Sequence, residues 1–226
     1  MLSERVSRVR EQIAEAAVRS GRTPDAVKLV AVTKTVDAPT AQEVFQLGVQ
    51  TLGENRVQSL LDKYKIMGNK PEWHLIGHLQ TNKVKYIIDK VELIHSVDSV
   101  HLAEEINRRA ENAKRVMPVL LQVNVAREET KFGFRVEELE EALEKIAAFS
   151  YIRVDGLMTI APKQTKPDEN RKYFYELMQL FVDIRSKKYD NIHMKELSMG
   201  MSGDFESAIL EGATMVRVGS ALFQPL

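Results

Sequence analysis

Eight short runs rich in valine, isoleucine and leucine, each followed by a turn, constrain this chain more than any other feature. They fall at residues 28–33, 49–53, 72–76, 92–97, 118–125, 152–158, 194–198 and 214–219. A short apolar run closed by turn residues reads as a buried parallel strand. Between the runs, apolar residues recur three or four apart, as in Val6, Val9, Ile13 and Ala16, or Phe174, Met178, Phe181 and Ile184. That spacing predicts amphipathic helices. Pro39, with Thr40 and Glu43 as a capping box, marks one helix start, and further helices are expected to about Met67 and from about Thr81. A helix after Ser198–Gly203 is expected to end at Gly212, and a polar loop is expected over Pro162–Asp168.

Strand and helix in strict alternation mean βαβ units and a parallel sheet, an α/β fold. Eight strands are what a closed (β/α)8 barrel of TIM type needs, and a doubly wound open sheet is the competing architecture. The chain opens with a helix and stops just after strand eight, so the first helix takes the outer-ring place of the last. One barrel domain spanning residues 1–226 is expected.

Composition narrows the function by exclusion. Thirty-two basic and thirty-two acidic residues cancel, so no global field steers the chain to nucleic acid or a membrane surface. With no cysteine, disulfides, thiolate metal sites and cysteine nucleophiles are excluded. The amphipathic start Met1-Leu2-Ser3-Glu4-Arg5-Val6 lacks a signal-peptide core, and no run reaches the roughly eighteen apolar residues of a membrane span. A cytoplasmic protein is expected.

In a barrel of this kind reactive residues belong at the C-terminal ends of the strands. Lys34 ends strand one, Asn55 strand two, His78 strand three, Asp98 strand four, Asn124 strand five and Thr159 strand six. Ser198 ends strand seven, and Arg217, Gly219 and Ser220 end strand eight. Singly, each reads as an ordinary turn or cap residue; together they put a polar group at one rim of every strand. Lys34 shares the parity of Val30 and Val32, and a lysine on that face needs a partner, a lowered pKa or solvent.

The loops after strands seven and eight read Ser198-Met199-Gly200-Met201-Ser202-Gly203 and Gly219-Ser220. Barrels bind phosphate there, and glycines with a helix start near Ser202 would offer backbone N–H groups to an anion. Ser202 as a plain helix N-cap fits the same residues. A phosphate site near a strand-end lysine suggests Schiff-base chemistry with pyridoxal 5'-phosphate (PLP), which joins an aldehyde to a phosphate. Arg217 would serve the cofactor's pyridine nitrogen or its phosphate, or else form a buried ion pair. Met158, Met199 and Met201 read as pocket walls or core filler. His74 and His78 have the spacing of a helical metal pair but straddle a strand end, so no metal site is expected.

With these residues placed, the chain resembles the pyridoxal phosphate homeostasis (YggS/PROSC) family. The matching stretches include Leu29–Lys34, Gly53-Glu54-Asn55, Trp73–Gln80, His95–Asp98, Gln122–Asn124, Lys131-Phe132-Gly133, Gly156–Met158, Leu197–Asp204 and Val216–Gly219. The resemblance implies a barrel like the N-terminal domain of alanine racemase, a fold-type III PLP protein, with the cofactor covalent at Lys34. It places the serine–glycine segment on Ser198–Ser202 and the phosphate strand on Arg217–Ser220, with Ser220 where the family often has threonine. The ending Ala221–Leu226 departs from the family's usual tail.

The cofactor-binding set expected is thus Lys34, Asn55, Met158, Ser198, Met199, Gly200, Ser202, Arg217, Gly219 and Ser220. The implied function is a monomeric PLP carrier in PLP homeostasis and amino-acid balance, not an enzyme, with PLP and PLP-dependent apoenzymes as partners. The alternative is a racemase of alanine-racemase type, which needs acid–base groups on both faces of its substrate. Beyond Lys34 no convincing second base is legible, and His78 and Tyr175 are poor guesses. A cofactor-free lysine aldolase would account for Lys34 but not for the matching motifs.

Overall fold

In the computed structural model, which describes residues 1–163 and 167–224, eight parallel strands close in sequence order, with β1 paired to both β2 and β8. The strands are β1 (Lys28–Val32), β2 (Thr51–Glu54), β3 (Glu72–Leu75), β4 (Leu93–Val97), β5 (Met117–Gln122), β6 (Ile152–Met158), β7 (Ile192–Met201) and β8 (Met215–Val218). The helices are α1 (Leu2–Arg19), α2 (Ala38–Gln46), α3 (Val57–Met67), α4 (Val100–Asn112), α5 (Leu139–Ala147), α6 (Arg171–Arg185), α7 (Phe205–Leu210) and α8 (Ser220–Phe223). The closed barrel replaces the open-sheet alternative. Among the described residues no helix is long and apolar enough to cross a membrane.

Alternation along the strands separates two cores. Val30, Leu93, Leu120, Met158 and Met215 fill the barrel interior. A much larger cluster, with Ala31, Leu52, Trp73, Ile94, Val119, Leu197 and Val216 on the outer face of the strands, packs against the helices. A fully buried side chain of this size contributes about 1.5–3 kcal/mol. The N-terminal helix α1 lies against α7 and α8, as its place in the sequence predicted. Arg22, just beyond α1, donates to the carbonyls of Ala213 (2.7 Å) and Ile209 (2.6 Å) and ties that helix to the end of α7.

Several boundaries differ from expectation for local reasons. The cap of α2 is Asp37, whose Oδ1 accepts from Thr40 N at 3.0 Å, so the Thr40–Glu43 capping box is not used. The segment from Thr81 forms a 3-10 helix to Tyr86 rather than an α-helix; Val84 and Ile87 are buried three residues apart, matching its tighter repeat. β7 runs on through Met201, and α7 begins at Phe205 and ends at Leu210, short of Gly212. Residues 164–166 of the expected polar loop, and Pro225 and Leu226 of the tail, lie outside the described residues.

Candidate functional site at the C-terminal mouth

Closure of the sheet brings the two ends of the sequence pattern together. Val30 pairs with Arg217 and Ala31 with Val218, so the loops after β1 and β8 are neighbours. A Cβ on Gly219 would lie 3.3 Å from Val32 Cβ. Lys34 stands two residues past the end of β1, exposed, with no hydrogen bond or ion pair among the described residues. The expectation of a solvated strand-end lysine and that of a free amine at the rim describe the same side chain.

Next to it the β7 and β8 loops gather backbone donors. Ser202 Oγ accepts from Gly219 N (3.0 Å) and Ala221 N (3.2 Å), and Ser220 between them is exposed. The space beside Gly203 is open, with nothing within 4 Å of a Cβ built there. Gly200 has φ +91°, and a Cβ on it would meet Ala208 Cβ at 2.6 Å, so only glycine lets β7 turn this closely onto α7. The expected helix start at Ser202 is corrected: Asp204 takes the N-cap position, and its Oδ1 accepts from Met201 N at 2.7 Å. A carboxylate therefore stands at the α7 N-terminus, and the N–H groups of residues 219 and 221 converge on the Ser202 hydroxyl instead.

Beneath the rim runs a buried polar line. Arg217 Nη1 donates to Ser198 Oγ (2.6 Å) and Nη2 to the Thr159 carbonyl (2.7 Å). Ser198 Oγ lies 2.9 Å from His95 Nδ1, and His95 Nε2 lies 2.9 Å from His74 Nδ1. Burial lowers the Arg217 pKa to about 10, which leaves it a cation at neutral pH. It lowers His74 to about 3 and His95 well below the ordinary histidine value, so both rings are neutral. Among the described residues Arg217 has no carboxylate in ion-pair contact, which removes the ion-pair reading.

The remaining expected residues divide. Met158 lies in the barrel interior with Val30, Leu120 and Met215. Asn55 is half-buried at the end of β2, pressed against Gly77, where a Cβ would fall 2.2 Å from the Asn55 carbonyl oxygen. Met199 points into the outer core, so only its backbone borders the mouth. His78 does not join His74: its Nδ1 lies 2.9 Å from Asp98 Oδ2, and its ring stacks on Phe132 with centroids 3.7 Å apart. Asn124 is a loop residue, bonded through its side chain to the Glu128 backbone.

Sequence reasoning assigned no role to His95, Glu54 or Lys63. Lys63 sits on the buried α3 face with Leu60 and Met67. Its 60, 63, 67 spacing was the available signal.

The closed eight-stranded parallel barrel, with Lys34 after its first strand, is of the alanine-racemase type. The model of the alanine racemase N-terminal domain matches residues 6–225. The chain belongs to the pyridoxal phosphate homeostasis protein family: it is 47% identical to the Aquifex aeolicus member, over 97% of this chain and 96% of that protein. An unknown protein from Bifidobacterium adolescentis superposes with a TM-score of 0.93 at 36% identity, over 98% of this chain and 94% of that one. PipY of Synechococcus elongatus PCC7942, solved with PLP bound, superposes at 0.86 with 32% identity, covering 99% of this chain and all (100%) of that one.

Proposed function

We propose that this protein is a PLP carrier of the cytoplasm, a monomeric single barrel that holds the cofactor covalently through Lys34 and turns over no substrate of its own. The observation that carries the reading is the exposed Lys34 amine, without a partner among the described residues, next to the backbone N–H groups of Gly219 and Ala221 that the Ser202 hydroxyl gathers. The residues present fit the group. Backbone N–H groups and the Ser202 and Ser220 hydroxyls suit a phosphate, Gly200 and Gly219 allow close approach, and Asn55 lines the mouth. Met158, Ser198 and the backbone of Met199 form its floor and side. When bound, PLP would supply an aldehyde able to condense with the Lys34 amine, releasing water, and an electron-withdrawing ring.

Arg217 is committed to the Ser198 hydroxyl and the Thr159 carbonyl rather than to the Ser202 cluster, so it would serve the ring of the cofactor rather than its phosphate. A cation there disfavours protonation of a ring nitrogen and so weakens the ring as an electron sink. That suits storage better than turnover. PLP-dependent apoenzymes are the recipients this reading implies.

One feature favours the racemase alternative: Asp98 orients the His78 imidazole at the rim, as a carboxylate orients a catalytic base. The deciding experiment is an absorbance spectrum of PLP-loaded protein before and after borohydride reduction, with the adduct located by mass spectrometry. The carrier reading expects a reducible adduct on Lys34 and unchanged amino acids. Racemisation that disappears in Lys34→Ala would sink it.

A further inference from the structure

Behind the Lys34 loop lies a buried ion pair that the donor cradle does not require. Lys63 projects inward from α3 with its side chain 6% exposed, and Glu54, which ends β2, is fully enclosed at 0%. The ammonium donates to Glu54 Oε1 (2.5 Å), to the Thr33 carbonyl (2.6 Å) and to Ser59 Oγ (3.5 Å), which uses all its protons. Glu54 also accepts from Thr33 Oγ1 (2.5 Å) and Ser59 Oγ (2.8 Å).

Such a pair is a poor source of stability, because removing two ions from water costs about as much as their attraction returns, and apolar replacements are often neutral or better. Its effect here is local. Thr33 is held at its carbonyl by the cation and at its hydroxyl by the anion, while its N–H donates to Gly53 O at 3.0 Å. Every polar atom of the residue before Lys34 is thereby fixed. The same carbonyl accepts from Val36 N at 3.2 Å, closing a four-residue turn with Lys34 in its second position. Downstream, the Asp37 cap fixes the start of α2. The main chain is pinned on both sides of a side chain that has no partner among the described residues, and a long arm on a rigid base needs less ordering to reach a set target.

We propose that the Lys63–Glu54 pair is a positioning device: by clamping the Thr33 peptide it aims Lys34 at the neighbouring cradle. The proposal rests on the covalent role of Lys34 given above. Lys63 acts only through Thr33 and touches no ligand.

The test is the double variant Glu54→Gln/Lys63→Met, which removes both charges together and leaves no lone buried ion. It should fold with a melting temperature near the parent's. In ligand-free protein, amide hydrogen exchange at Thr33 and Val36 should accelerate by about tenfold or more. Affinity for PLP, read by absorbance and by Lys34 occupancy after reduction, should fall by about tenfold. Affinity for pyridoxine 5'-phosphate, which has the phosphate and no aldehyde, should stay the same. Thr33→Val, losing only the hydroxyl anchor, should move these readouts in the same direction, and Thr33→Ser should restore them. If the double variant does not fold, Thr33→Val decides.

Unchanged exchange and PLP affinity in the variants would overturn the clamp, as would an equal loss of pyridoxine 5'-phosphate affinity. If the parent takes no PLP on Lys34, the covalent reading fails instead, and the exchange rates alone decide the clamp.

Discussion

His74 Nδ1 and His95 Nε2 lie 2.9 Å apart inside the barrel, two neutral imidazoles sharing one proton. Both have folded-state pKa values lowered by burial, His74 to about 3. The unfolded chain therefore binds more protons than the native state once the pH drops below about 6.5. Stability should be indifferent to these rings above neutrality and should fall with acid, by up to about 1.4 kcal/mol per pH unit for each. Urea titrations between pH 7 and pH 4.5 check this. The carboxylates contribute their own slope, so the comparison is with His74→Gln, whose profile should be flatter over that window.

Lys34→Ala should abolish the borohydride-trapped adduct and leave the fold intact. The side chain is exposed and has no partner among the described residues, and substitutions at such positions stay within about 0.5 kcal/mol. Pyridoxine 5'-phosphate should bind the variant as it binds the parent, because the Ser202 cradle is untouched. Calorimetric titration with that ligand and a thermal melt read both outcomes.

Ser202→Ala removes the acceptor shared by Gly219 N and Ala221 N. Stability should fall by about 1 kcal/mol, the usual worth of such hydrogen bonds. Phosphate-ester affinity should drop by about tenfold as the cradle loses its hydroxyl and its shape. The lysine chemistry should survive at saturating PLP, which separates this variant from Lys34→Ala.

At Gly200, alanine would force its methyl to within 2.6 Å of Ala208 Cβ while holding φ at +91°. Overpacking of this kind costs about 1–3 kcal/mol, and the left-handed backbone adds to it. A lowered urea midpoint with an unchanged slope is the expected signature.

The strand count, the barrel and most helix faces were legible because alternation and helical spacing are local patterns. Helix starts were less so: Thr40 and Glu43 matched a capping box, yet Asp37, three residues before Thr40, takes the N-cap and accepts from Thr40 N. The rim residues were legible through a single rule, that barrel chemistry sits at strand ends. What could not be read was which buried polar groups meet. Nothing in the spacing of residues 54 and 63 announces an ion pair on the Thr33 carbonyl, and the His74–His95–Ser198 line joins three strands far apart in sequence. Met199 shows the opposite error: its neighbours belong to the mouth, but strand alternation turns its own side chain into the outer core.

Because β8 closes against β1, the lysine near residue 34 and the donors near residue 219 become neighbours only when the last strand docks. A ribosome-bound chain that has not yet released residues 215–221 presents a lysine without a cradle. The arrangement therefore exists only in the closed barrel, and a chain cut before residue 215 should lose it whatever its other strands and helices retain.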